Sequence, residues 1–222
     1  MIDRLLGVVA PHYCTSCGEI GAIFCQNCKY NIATEPYESC IFCNKLCHED
    51  NICGQCSVVV SRAWCVGERS EALEKLLNTY KFERSVGAAD ALADLLAIRL
   101  PHVLDVRIVP IPTVPRHVRQ RGYDHAALIA KAFAARRGLP YDACLRRKTD
   151  TQQRGATRAQ RKVQAAEAFV AHNVQPGVIY LIIDDIVTTG ATLQAAARVL
   201  RGAGAADVWV AVVAHQPWTA DA

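Results

Sequence analysis

Residues 180–192 read YLIIDDIVTTGAT, an apolar run that ends in Asp184 and Asp185 and passes at once to Thr188, Thr189, Gly190, Ala191 and Thr192. Two adjacent carboxylates repel a phosphate. They do accept hydrogen bonds from vicinal hydroxyls, such as those of a ribose, and they stabilise positive charge nearby. A glycine lets backbone approach an anion closely, the free N–H groups at a helix start are anion donors, and threonine hydroxyls add to them. A ligand with a diol on one side and a phosphate on the other satisfies both halves, and ribose 5-phosphate is such a ligand. An acidic pair at a strand end would by itself be a solvated turn. The ordered run of apolar strand, acid pair, Thr-Thr-Gly-x-Thr and helix carries the reading.

A pyrophosphate beside such a sugar would need its own positive cradle. The stretch VPIPTVPRHVRQRGYDHA offers Arg116, Arg119 and Arg121 on the connection after a short strand, with Gly122 freeing the backbone. Arginine forks match phosphate oxygens, although the same residues could form a solvated basic loop. A second basic stretch, residues 145–169, is polar and broken by Gly155, so its first part reads as a mobile loop. Arg147, Lys148, Gln152, Arg158 and Arg161 there are candidates for phosphate contacts. His117 and His125 have no acid partner in sequence and are expected at the surface.

The other chemistry belongs to cysteine. Of eleven cysteines, eight form the pairs Cys14/Cys17, Cys25/Cys28, Cys40/Cys43 and Cys53/Cys56. A two-residue spacer is a poor disulfide pattern but places two thiolates on one tetrahedral metal, so two zinc sites of four thiolates are expected. Sequential and interleaved pairing both remain open. Cys47 and His48 crowd the third pair and read as spectators, while Cys65 and Cys144 read as isolated core or surface thiols. Closed all-thiolate sites are structural, so no chemistry is expected at zinc.

These residues need elements to position them. Residues 1–62 are short of apolar periodicity and would take folding energy from bound metal, giving a zinc-binding module; residues 63–222 form a second domain. EALEKLLNTYKF and AADALADLLAIRL carry helical spacing, VRIVPIP and GVIYLIID are buried strands, and DHAALIAKAFAARRG is a helix capped by Asp124 and stopped by Gly138. TLQAAARVLRGAG is a helix with Leu193, Ala196, Ala197, Leu200 and Ala203 on one face, followed by the strand DVWVAVVAH. Strands alternating with helices predict an α/β fold with a parallel sheet. No repeat is visible.

The formal net charge of +4 conceals an asymmetry: residues 107–161 hold 13 Lys or Arg against 3 Asp or Glu, whereas residues 1–66 hold 4 against 6. A positive patch of that kind attracts phosphates, on a small ligand or on nucleic acid. No apolar stretch reaches the ~18 residues of a membrane span, and the start lacks a signal-peptide pattern, so a cytoplasmic location is expected.

The run at 180–192 resembles the phosphoribosyl-pyrophosphate motif of type I phosphoribosyltransferases. The chain as a whole resembles the ComF family through LLGVVAPHYC, the four cysteine pairs, LLNTYKF, PIPTVPRHVRQRGYDHA, KTDTQQRGATRAQR and LIIDDIVTTGAT. The resemblance implies a type I phosphoribosyltransferase-like fold behind a double zinc ribbon. It further implies that Asp184 and Asp185 hold the ribose hydroxyls, that Thr188 to Thr192 surround the 5-phosphate, and that Mg²⁺ bridges diol and pyrophosphate under a closing loop. It implies pentosyl transfer, with a link to natural competence, single-stranded DNA and competence-machinery proteins, or to nucleotide salvage. Two rivals keep the fold without turnover: a single-stranded-DNA-binding competence factor, and a sensor of phosphoribosyl pyrophosphate. The chain departs from the pattern at Asp124-His125, in place of Asn-Gln, and at Gln164, in place of Asn. An inward-pointing Asp124 would oppose pyrophosphate; as a helix cap it would not.

Overall fold

The computed structural model describes residues 12–47, 50–56, 58–83, 85–102, 105–148 and 168–216. His48, Gln152, Arg158, Arg161 and Gln164 lie outside them, as does most of the expected loop. The elements in chain order are α1 (Gln26–Thr34), β1 (Arg62–Glu68), α2 (Glu71–Phe82), α3 (Val86–Arg99), β2 (Val106–Pro110), α4 (Pro115–Arg121), α5 (His125–Arg137), β3 (Leu145–Arg147), β4 (Phe169–Ala171), β5 (Ile179–Val187), α6 (Ala191–Gly202) and β6 (Asp207–His215).

Four strands form one parallel sheet in the order β1-β6-β5-β2, and β3 pairs with β4 as a separate antiparallel ribbon. Continuous apolar strands suit a sheet covered on both faces. Alternation along each strand then sends neighbours to opposite sides. Ile108, Leu181, Ile183, Ala211 and Val213 pack with α2, α3 and α5, while Val109, Ile182, Val210 and Val212 pack with α6 and the β3–β4 ribbon. The expected parallel α/β architecture is what the chain adopts.

The cysteine-rich segment holds two copies of one knuckle, so the sequence does contain a repeat. Gly18 and Asn44 occupy equivalent positive-φ positions, and their N–H groups donate to Cys14 O and Cys40 O, each at 2.8 Å. Cys14 N donates to Glu19 O and Cys40 N to Lys45 O, and the bridges Tyr13–Ile20 and Ser39–Leu46 correspond. The copies lie on opposite faces of the sheet. Phe24, Cys14 and Cys25 of the first join the α2–α3–α5 core, whereas Ile41 and Phe42 of the second join the α6 core.

Three further readings change. β1, with Ala63 to Val66 buried, is a sheet strand that the mixed sequence RAWCVGE conceals. The basic stretch after β2 is the helix α4, with Pro115 at its start and Gly122, φ +89°, at its end. A proline at the first helical position lacks only an N–H that would be unpaired there anyway. Ala203 is the C-cap of α6 and is exposed, so it does not share the helix's buried face.

Candidate functional site

The carboxyl ends of β5 and β2 open on one edge of the sheet, where ligands of open α/β folds bind. β5 carries Asp184 and Asp185, both half-buried, to that edge. Thr188 and Thr189 follow in the open, and Gly190 forms the left-handed N-cap of α6 at φ +67°. Ala191 and Thr192 begin the helix. The N–H groups of its first turn are therefore presented beside the two carboxylates.

Charge around the pair is compensated from elements far apart in sequence. Lys81 Nζ, at the end of α2, lies 2.7 Å from Asp185 Oδ2, and both side chains are largely covered. Arg147, from β3, donates to Pro112 O at 2.8 Å, stacks on Phe169 and acts electrostatically on Asp184. Asp184 accepts from the Asp185 backbone N–H at 2.8 Å. Burial, and next the neighbouring Asp185 charge, push the Asp184 carboxyl well above the usual carboxylate range.

That shift has a sign. A folded carboxyl with a raised pKa holds a proton that the unfolded one has released, so its contribution is lost as pH rises from the ordinary carboxylate range through the folded value. Asp184→Asn cannot ionise. Its stability relative to the native chain should therefore grow between pH 5 and pH 8.5, checked by urea unfolding without Mg²⁺. A constant difference across that range would contradict the shift.

Of the basic cradle, Arg116 and Arg119 are exposed on α4, whereas Arg121 is half-buried with its guanidinium 5.5 Å from the centroid of Phe82. Arg121 Nη1 also lies 3.3 Å from His125 Nδ1. His125 is buried, not superficial, because the rings of Tyr80 and Tyr123 close on it at centroid distances of 5.1 and 4.8 Å. Burial first, and then Arg121, lower its pKa to about 4, so it is a neutral imidazole. His117 is half-buried beside Arg116. Asp124 resolves as a cap: its carboxylate accepts from Ala127 N at 3.1 Å and from Thr113 Oγ1 at 2.8 Å.

The cysteines form two groups in sequential order, Cys14, Cys17, Cys25 and Cys28, and Cys40, Cys43, Cys53 and Cys56. The sulfurs of each group all lie within 4.8 Å of one another. Sulfur separations of 3.6 Å (Cys17–Cys25), 3.8 Å (Cys40–Cys56) and 3.4 Å (Cys43–Cys53) approach the ~3.8 Å edge of a tetrahedron with metal–sulfur bonds of ~2.3 Å. Both groups are compatible with structural zinc, and Cys47 belongs to neither.

The second group reaches the β5–α6 loop. A Cβ at Gly190 would stand 2.6 Å from Phe42 Cε1 and closer to Cδ1, so the Phe42 ring, between Cys40 and Cys43, lies directly on the loop. Tyr37 Oη lies 2.5 Å from His215 Nδ1, and the Thr188 backbone acts electrostatically on the His215 ring. Lys81, Phe42, Tyr37 and His215 had no sequence signal that tied them to the loop, because each comes from another element and meets it only through packing.

Comparison with known proteins agrees with this architecture. The phosphoribosyl transferase domain family matches residues 118–221. Competence protein F of Haemophilus influenzae is 28% identical over 84% of this chain and 87% of its own length. The DNA utilization protein YhgH of Escherichia coli is 26% identical over 83% and 94%. Competence protein ComFC of Streptococcus pneumoniae is 27% identical over 88% and 84%. The chain is similar to these competence and DNA utilization proteins over most of its length. Among solved structures, the allosteric regulatory enzyme of purine biosynthesis aligns with a TM-score of 0.42 at 22% identity over 58% of this chain, which spans 25% of that enzyme's length. No helix among the described residues is long and apolar enough to cross a membrane.

Proposed function

We propose that the end of β5 and the loop after it bind Mg²⁺–phosphoribosyl pyrophosphate, and that the ribose is transferred to a nitrogen nucleophile with loss of pyrophosphate. The observation that carries this reading is the half-buried pair Asp184 and Asp185 at a parallel strand's carboxyl end, followed at once by a helix N-terminus with Gly190 in left-handed backbone. Asp184 and Asp185 take the ribose 2- and 3-hydroxyls, and the backbone of Thr188 to Thr192 takes the 5-phosphate. Arg116, Arg119, Arg121 and Gly122 cradle the pyrophosphate. The anomeric carbon–oxygen bond breaks, the electron pair leaves with pyrophosphate, and the carboxylates stabilise positive charge on the sugar until nitrogen bonds to it and releases its proton. The all-oxygen donor set at the strand end suits a hard cation, and Mg²⁺, when bound, would neutralise pyrophosphate charge.

Calorimetric titration of the zinc-loaded protein with phosphoribosyl pyrophosphate, with and without Mg²⁺, tests the reading. Hydrogen bonds to charged groups contribute about 1.5–3 kcal/mol each, so Asp184→Asn/Asp185→Asn should weaken binding by about 100-fold or more. A folded wild type that binds nothing would overturn transfer and sensing together.

The exposed Arg116 and Arg119, and relatives named for competence and DNA utilization, favour a second reading in which the same face holds single-stranded DNA. Each phosphate contact displaces counterions, so affinity for a dT oligonucleotide should then fall steeply as salt rises. Partner proteins of a competence machinery and a cytoplasmic site of action belong to that reading.

A further inference from the structure

His125 is 2% exposed, yet its Nε2 has no hydrogen-bond partner among the described residues. A buried polar atom without a partner costs stability, and a leucine would fill much the same space without that cost. What the imidazole supplies instead is its other nitrogen. Nδ1 lies 3.3 Å from Arg121 Nη1. A guanidinium stays protonated and can only donate, so Nδ1 carries the lone pair and the ring hydrogen sits on Nε2, the orphaned atom.

The spacing of Arg121 and His125 is not that of one helix turn. α4 ends at Arg121, Gly122 turns in left-handed backbone at φ +89°, and α5 begins at His125. The Asp124 cap fixes that turn through Ala127 N and Thr113 Oγ1. Tyr80 Oη donates to His125 O at 2.7 Å, Tyr123 Oη donates to Tyr80 O, and the two tyrosine rings enclose the imidazole. The other hold on Arg121 is the Phe82 ring below its guanidinium. A ring face restrains where a guanidinium lies, not how it is turned; a hydrogen bond at one nitrogen fixes the turn. We infer that His125 is a positioning residue, which accepts from Nη1 and so sets the direction in which Arg121 offers its remaining N–H groups to pyrophosphate. The inference rests on the ribose-phosphate reading for the identity of that ligand, whereas the hold of His125 on Arg121 does not depend on it.

Two substitutions test the role. His125→Leu removes both ring nitrogens, and His125→Gln keeps an acceptor oxygen. Calorimetric titration of the zinc-loaded proteins with inorganic pyrophosphate and Mg²⁺ should show Arg121→Ala weakened by about 10- to 150-fold, the range for one hydrogen bond to a charged group. His125→Leu should weaken binding in the same direction while unfolding in urea no earlier than wild type, and His125→Gln should recover most of the affinity. In an Arg121→Ala background His125→Leu should add nothing. Nitrogen-15 NMR without ligand reads the hold directly: His125 Nδ1 should be unprotonated, and the Arg121 guanidinium should rotate slowly in wild type and His125→Gln but fast in His125→Leu. A wild type that binds neither pyrophosphate nor phosphoribosyl pyrophosphate, yet holds its guanidinium, would overturn the ribose-phosphate reading and leave the hold on Arg121 intact. A folded His125→Leu with wild-type affinity, a loss that repeats in the Arg121→Ala background, or a wild-type guanidinium as free as that of His125→Leu would overturn the positioning role.

Discussion

Gly190→Ala is expected to destabilise the protein by roughly 2–5 kcal/mol and to abolish binding of phosphoribosyl pyrophosphate, through two separable costs. Left-handed backbone costs a residue with a Cβ about 1–2 kcal/mol, and Gly190 holds φ +67°. The new methyl would also meet the Phe42 ring, and overpacking of this kind costs about 1–3 kcal/mol. Urea unfolding separates the terms in a double-mutant cycle. Gly190→Ala in a Phe42→Ala background should recover the steric part and leave the backbone part. A Gly190→Ala protein with native stability and affinity would show that Phe42 does not press on the loop.

The larger effect should come from metal. Structural zinc contributes an apparent binding free energy of about 10–16 kcal/mol in small thiolate modules, so losing one site unfolds the segment it organises. The consequences should differ between the two groups. Cys25→Ala releases a knuckle that leans on the α2–α3–α5 face, and should lower the melting temperature while the β5–α6 loop keeps its affinity. Cys40→Ala releases Phe42 and Tyr37 from Gly190 and His215, and should cost ligand affinity as well. Zinc content by mass spectrometry should fall from two to one in both variants. Amide exchange at residues 188–192 should accelerate only in the second. Equal acceleration in both would remove the special relation between the second group and the loop.

The loop itself was legible because continuous apolar residues, an acid pair and a glycine N-cap are local signals, and β5 and α6 follow them closely. The cysteine groups were legible as eight ligands, but their order was not, since spacing alone permits interleaving. The knuckle repeat was hidden because the spacers differ, seven residues at 18–24 and nine at 44–52, while the likeness lies in backbone turns at Gly18 and Asn44. α4 reads as a loop because arginines obscure periodicity in seven residues, although Pro115 is a helix-start signal. The burial of His125 is hidden for another reason: its enclosure by Tyr80 and Tyr123 is tertiary and leaves no trace in neighbouring positions.

β1 occupies an edge of the sheet and pairs only with β6, whose first residue, Asp207, lies 145 positions after Arg62 (207 − 62). At synthesis rates of about 5–20 residues per second, the apolar stretch Ala63 to Val66 waits roughly 7–30 s for its partner strand to emerge. Its other edge does not wait. Asn51 N donates to Ala63 O at 2.9 Å, and Cys65 N donates to Asn51 Oδ1 at 2.8 Å, from a segment already made and held between Cys43 and Cys53. An exposed strand edge templates aggregation until it is covered. The second knuckle, earlier in the chain, thus covers one edge of the first strand, and the last strand covers the other.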